Sequence, residues 1–403
     1  MNNKKRVAVI FGGQSTEHEV SRFSAQSVIE NLDKDKFDVV MIGITKEGKW
    51  LRYDGPVEKI GSGEWEEIAI RQRLEHEKER KSLPCHNSFQ QVDTKDAEDS
   101  KEYCDNYIDN SNSARRILVA VGGEDRDDGI DVVFPVLHGL NGEDGTIQGL
   151  FELANIPYVG CGVLGSAVGM DKAIAKVIFE KEGLPLGKYL AFNKKQFLTH
   201  QCKIVEEVEK RLGYPCFVKP CNSGSSVGVS KAKNREELIE AINYAGNFDR
   251  RILVEEFING REIECAVLGN DDPEASTVGE VIPGNEFYDY HDKYSSESTS
   301  KLVIPAELPD ETIKKIREYA VRAFKALDCS GLARVDFFVH KETGEIYINE
   351  VNTMPGFTKI SMYPKLWEAS GLPYNKLLEK LIDLAVERYN EKEMIRNLQN
   401  GNK

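Results

Sequence analysis

The 403-residue sequence lacks a basic excess: 53 lysines and arginines stand against 67 aspartates and glutamates, a formal net charge of -14. That balance argues against nucleic acid as a partner, because counterion release needs clustered positive charge. A local phosphate site remains compatible with an acidic chain. No apolar run reaches membrane-spanning length, so no membrane partner is expected. The first apolar stretch, Val7 to Phe11, is short and ends in Gly12-Gly13, which reads as a β-strand rather than a signal peptide. The eight cysteines (85, 104, 161, 202, 216, 221, 265 and 329) form no CxxC pair, and reduced, mostly structural thiols are expected. There is no internal repeat and no low-complexity tract. These absences point to a cytoplasmic protein that handles small ligands.

What is present is 40% hydrophobic and 30% charged, enough to bury more than one core in two or three domains. Val7–Phe11, Phe37–Ile44 and Val132–Leu137 read as strands of a parallel α/β sheet, with a helix at Val20–Asn31. Gly12-Gly13 and His138-Gly139 fall at carboxyl ends of strands, where such sheets gather ligands. Residues 64–115 are polar and thinly periodic and read as a surface insertion made of a helix and a mobile segment, and 391–403 as a frayed end. From Leu184 the pattern becomes α+β. Strands are predicted at Gly187–Phe192, Pro215–Pro220, Ser226–Ala232 and Arg251–Phe257, and helices at Ile204–Leu212 and Arg235–Tyr244. A third module has strands at Glu262–Gly269, Val278–Ile282, Ala333–Val339 and Glu345–Val351, and helices at Glu311–Leu327 and Tyr374–Tyr389. The expected domains are 1–168, 169–260 and 261–403.

Three segments carry chemistry. Phe217-Val-Lys219-Pro-Cys-Asn-Ser-Gly224-Ser225-Ser226-Val-Gly228 sets a lysine at a strand end before a small-residue turn, a pattern that suits phosphate and also a plain hairpin. Gly224-Ser-Ser226-Val-Gly228 also matches the G-x-S-x-G elbow of serine hydrolases, but a strand rather than a helix is expected after Ser226. Gly331-Leu-Ala-Arg334-Val-Asp336 and Glu345-Ile-Tyr-Ile-Asn349-Glu350-Val-Asn352 form a hairpin. Alternation puts Arg334 with Asp336, and Glu350 with Asn352, so oxygen donors converge in a way that suits Mg²⁺. Glu255-Glu256-Phe-Ile258-Asn-Gly-Arg-Glu262 is a strand break whose backbone can read an adenine edge, or a charged hairpin.

Taken with Phe11-Gly-Gly-Gln-Ser-Thr-Glu17-His-Glu-Val20-Ser21, His138-Gly-Leu-Asn-Gly-Glu-Asp-Gly145, Met170-Asp-Lys172, Glu286-Phe-Tyr-Asp-Tyr-His-Asp-Lys293-Tyr294 and Asn352-Thr-Met-Pro-Gly356-Phe-Thr-Lys-Ile-Ser361-Met362, these segments resemble the D-alanine–D-alanine ligase family of ATP-grasp enzymes. The resemblance runs from the start to about residue 385, apart from the insertion.

It implies an ATP-grasp fold with an N-terminal Rossmann-like domain and two α+β modules clamping ATP. The implied reaction forms an acylphosphate from a first D-alanine and ATP, attacked by the amine of a second, for peptidoglycan synthesis. It assigns the nucleotide to Lys172, Lys219, Ser226, Glu255, Glu256, Ile258, Glu262, Lys293 and Asn349, and two Mg²⁺ ions, or Mn²⁺, to Asp336, Glu350 and Asn352. Glu17, Val20, Ser21, His138, Arg334, Gly356, Ser361 and Met362 would hold the amino acids, with Arg334 and the Gly356 N–H stabilising the tetrahedral oxyanion. As plain structure, His138 would be a capped strand-end histidine and Glu17 a helix-start carboxylate.

Residues 283–304 resemble a closing loop, in which Tyr294 would link through Ser225 to Glu17 and His291 would make closure pH-sensitive. A homodimer is implied. Cys221-Asn222 and the long insertion depart from the family pattern. A D-alanine–D-serine ligase and a nucleotide-binding regulator without turnover stay open as alternatives.

Overall fold

In the computed structural model residues 4–82, 129–284 and 300–401 are described. The first sheet contains β1 (Lys5–Gly12), β2 (Phe37–Ile44), β3 (Trp50–Tyr53) and β4 (Val132–Pro135) in the order β3-β2-β1-β4. β1 runs parallel to β2 and β4, and β3 closes the edge antiparallel. The run Val-Ala-Val-Ile-Phe in β1 is wholly buried because each face meets a different core. Val7, Val9 and Phe11 point one way; Ala8 and Ile10 point the other, toward Phe151.

The helices here are α1 (His18–Asn31), α2 (Glu58–Ser62), α3 (Trp65–Ser82), α4 (Thr146–Ala154), α5 (Val163–Met170) and α6 (Lys172–Lys181). The expected surface insertion is corrected at its start. Trp65 is fully buried, edge-on to Phe11 at 5.0 Å and to Tyr53 at 6.5 Å, over the gap left by Gly43. The rest of that insertion, from 83 on, lies outside the described residues.

The second sheet is antiparallel, ordered β5-β8-β6-β7 from β5 (Tyr189–Asn193), β6 (Cys216–Pro220), β7 (Ser230–Ala232) and β8 (Arg251–Glu256). It packs one face on α7 (Lys194–Arg211) and α8 (Arg235–Ala245) through Val218, Val254, Phe197 and Leu238. α7 is broken by a kink at His200; its first segment, started by the reciprocal Asn193–Gln196 capping box, precedes the predicted helix, which falls in the second.

The third sheet is ordered β11-β10-β9-β12-β13: β9 (Gly260–Gly269), β10 (Glu274–Ile282), β11 (Lys301–Val303), β12 (Gly331–His340) and β13 (Ile346–Asn352). α9 (Asp310–Ala326) covers one face, while α10 (Met362–Ala369) and α11 (Tyr374–Gly401) join the other to the first sheet. Ala266, Leu268, Phe357 and Leu381 belong to the same core as Val7 and Phe11. The expected frayed end is also corrected: α11 continues to Gly401, tied down by Lys392 to Glu152 (2.5 Å) and by Arg396 to Asn155.

Candidate active site

The second and third sheets and the loops that follow β1 and β4 border one cleft of about 610 Å³. The cleft face of β12 follows from alternation: Val335, Phe337 and Val339 enter the core, so Arg334, Asp336 and Phe338 face away from it. β13 breaks that rule. Its pairing jumps from Asp336↔Glu350 to Phe337↔Ile348, leaving Asn349 as the extra residue of a β-bulge. Ile348 and Val351 stay buried, and Asn349, Glu350 and Asn352 all line the cleft.

A cluster of lysines and carboxylates occupies its floor. Lys172, at the start of α6, donates to Ser223 O (2.7 Å) and lies 3.3 Å from Glu350. Lys219, at the end of β6, lies 2.7 Å from Glu255 and donates to Asn349 Oδ1 at 3.3 Å. Lys176, one turn along α6, reaches the other Glu255 oxygen at 2.6 Å. Burial alone would raise the Glu255 carboxyl, but the ammonium groups of Lys176 and Lys219 outweigh it and hold the pKa at about 2. Burial likewise pulls Lys219 down, and Glu255, Glu350 and Glu262 more than offset it.

The turn after β6 runs into β7, so a serine-hydrolase elbow is ruled out: no helix follows Ser226. Ser225 and Ser226 both adopt left-handed backbone (φ 48° and 60°), an uncommon strain for two successive non-glycine residues. The turn brings the Ser225 hydroxyl to the Glu17 carboxylate. Gly139 and Gly224 leave the room this needs, since a Cβ on either would meet Glu17 Oε2 within 2.5 Å. Behind Glu17, Glu143 accepts from Gly139 N (2.6 Å) and Met354 N (3.2 Å), and burial together with the nearby Glu17 charge pushes its pKa up to about 8.

His138 sits 3.0 Å from Met354 O through Nδ1 and 3.1 Å from Ser24 Oγ through Nε2. Burial lowers its pKa and favours the neutral ring, so Nδ1–H donates to the carbonyl and Nε2 accepts from the serine. Ser24 in turn accepts from Phe357 N at 3.3 Å. The segment Met354–Phe357, which carries Gly356, is thus stapled at three backbone atoms to the loop after β4 and to α1.

Residues 6–161 match a family model described as D-ala D-ala ligase N-terminus, and residues 178–383 one described as D-ala D-ala ligase C-terminus. The chain belongs to the D-alanine–D-alanine ligase family. It is 65% identical to the D-alanine–D-alanine ligase of Ruminiclostridium cellulolyticum over 96% of this chain and 97% of that one. It is 63% identical to that of Acetivibrio thermocellus over 97% and 98%. Among solved structures, the D-alanine-D-alanine ligase from Coxiella burnetii has a TM-score of 0.75 at 34% identity, covering 98% of this chain and 99% of that one. The VanG D-Ala:D-Ser ligase from Enterococcus faecalis has 0.74 at 40%, covering 95% and 100%.

Of the residues that the D-alanine–D-alanine ligase resemblance singles out, the cleft is lined by Glu17, His138, Lys172, Lys219, Ser225, Ser226, Glu255, Glu256, Ile258, Glu262, Arg334, Asn349, Glu350, Asn352, Gly356, Ser361 and Met362. Val20, Ser21 and Asp336 are not on its wall. Val20 is core, and Ser21 ties the ends of β1 and β4 together by accepting from Gly12 N and donating to Val136 O. Asp336 is gripped by Arg334 through two 2.7 Å bonds and by Asn352 Nδ2 at 2.9 Å. Lys293, Tyr294 and His291 lie outside the described residues.

The acidic set still fits a hard divalent cation. Glu350 and Asn352 line the cleft beside Lys172, and Asp336, the cross-strand partner of Glu350, stands behind them on Arg334, so the hairpin offers two carboxylates and an amide oxygen. Sequence reasoning missed Lys176, Glu143 and Glu264; the last lies 2.9 Å from Arg334.

Proposed function

We propose that this chain is an ATP-dependent ligase that joins two D-alanines into D-alanyl-D-alanine for peptidoglycan precursor synthesis in the cytoplasm. The observation that carries this reading is the convergence, in one cleft, of Lys172 and Lys219, Glu350 and Asn352 of the hairpin and the Ser225–Glu17 pair. In the reaction, a carboxylate oxygen of the first D-alanine attacks the γ-phosphorus and ADP leaves. The amine of the second D-alanine then attacks the acyl carbon, its proton is lost, and phosphate departs.

Residues 169–260 and 261–403 would clamp the nucleotide, and 1–168 would present the amino acids. Lys172 and Lys219 hold phosphate oxygens, Glu256 and Ile258 meet the adenine, and Glu262 the ribose. Asp336, Glu350 and Asn352 would hold Mg²⁺, with Mn²⁺ as a substitute; the ion, when bound, offsets phosphate charge. Glu17, oriented by Ser225, takes the first ammonium, and Arg334 with Gly356 N–H meets the oxyanion. Ser361 and Met362 hold the second amino acid. His138 keeps Gly356 in place through Met354. A homodimer, which the family resemblance implies, is part of this proposal.

The test is phosphate release from Mg·ATP with D-alanine alone, with products identified by mass. Turnover there supports the dipeptide ligase. The likeness to VanG favours one second reading, and activity that emerges chiefly on adding D-serine would move the protein to it.

A further inference from the structure

We propose that Lys176 is a positioning residue for nucleotide binding: it is the standing counterion of Glu255 that lets Lys219 leave that carboxylate for a phosphate, and it fixes the bulge at Asn349. This rests on the nucleotide reading of the cleft.

The Glu255 side chain is only 13% exposed, and its two oxygens are divided between two lysines: Oε1 to Lys176 at 2.6 Å and Oε2 to Lys219 at 2.7 Å. The lysines differ in setting. The Lys176 side chain is 4% exposed and donates also to the Asn349 carbonyl at 3.2 Å. Both lysines border the cleft, but Lys219 is the more exposed at 14%, and its second contact is the Asn349 side chain at 3.3 Å. A buried carboxylate stripped of its cation is strongly destabilised. With Lys219 as its sole partner, Glu255 would hold that ammonium back whenever a phosphate competed for it. Lys176 removes the conflict, because Glu255 stays paired when Lys219 turns away. The same ammonium bonds the carbonyl of the bulged residue and so joins α6, β8 and β13 around one point. That places the Asn349 amide, and through it the Lys219 head, relative to Glu350 on the next position of the strand.

The experiment is a double-mutant cycle of Lys176→Met and Glu255→Gln in the full-length protein. It is read by titration with Mg·ADP and by KM for ATP and kcat in phosphate release. Lys176→Met is expected to weaken Mg·ADP and raise KM for ATP on the order of tenfold, with kcat within a few-fold of wild type. In the Glu255→Gln background the same change should cost little, since no carboxylate remains to hold Lys219. Lys176→Arg should restore most of the affinity. An equal cost in both backgrounds, or a lowered thermal midpoint with unchanged nucleotide affinity, overturns the proposal. If Lys176→Met does not fold, the comparison of Lys176→Arg and Lys176→Gln, each with and without Glu255→Gln, reads the same coupling. Mg·ADP binding by a protein that releases no phosphate with D-alanine would sink the ligase reading and leave this test intact.

Discussion

The hydroxyl of Ser225, in the turn after β6, donates to the carboxylate of Glu17, at the start of α1, joining residues 208 positions apart. The bond fixes the direction of a carboxylate that would receive an ammonium ion, and it closes the turn after β6 against the start of α1. Ser225→Ala should lower kcat/KM for the first D-alanine roughly 10²-fold, the scale of a small misplacement in a reacting pair. The KM for ATP should change little. Steady-state kinetics with each substrate varied separately checks the split; a loss confined to ATP would mean that the turn, not Glu17, is what Ser225 serves.

Trp65 and Gly43 form a matched pair in the core. A methyl group on Gly43 would lie 2.1 Å from the Trp65 ring, so Gly43→Ala should cost about 1–3 kcal/mol by overpacking. Trp65→Ala should cost about 3–5 kcal/mol by leaving a cavity. Made together, the two should cost less than their sum, as the added methyl occupies space the ring has left. Denaturant midpoints of the three variants measure this, and strict additivity would contradict the packing described.

Glu143 gives a pH dependence of stability. Its pKa stands at about 8 in the folded protein against an ordinary glutamate value of 4.5, so the folded state binds the extra proton between those limits. Its contribution is fully present below about 4.5 and is lost as pH rises through about 8. Glu143→Gln keeps an acceptor for one of the two backbone N–H groups and cannot ionise. The variant should therefore gain stability relative to wild type as pH rises from 6 to 9. Parallel thermal midpoints across that range would rule out the buried proton.

Much of this architecture was legible in sequence. The β2 bounds and the β12–β13 hairpin follow from alternation, and the turn after β6 from its run of small residues, although β7 begins at Ser230 rather than at the expected Ser226. α5 escaped because Val163–Met170 is apolar on every side with two glycines, which gives no helical stripe to read. α6 escaped although Asp171 caps it, accepting from Ala173 N and Ile174 N. Lys176 had no local signal at all: on α6 it is an ordinary helical lysine, and its partners come from β8 and β13. The bulge at Asn349 was equally hidden, since a single extra residue leaves the composition of the strand unchanged.

The core under the second sheet is made entirely of residues between Leu190 and Val254, whereas the first and third sheets share theirs. Among the described residues the apolar contact between α6 and that second sheet is a small cluster of Ala173, Cys221 and Leu253 with Tyr189 against it, beside polar links such as Lys176 to Glu255. Such a partition makes melting a matter of two cooperative units rather than one. In calorimetry the central unit should give its own endotherm, and a nucleotide held between units should draw the two peaks together, because neither can then open without releasing it.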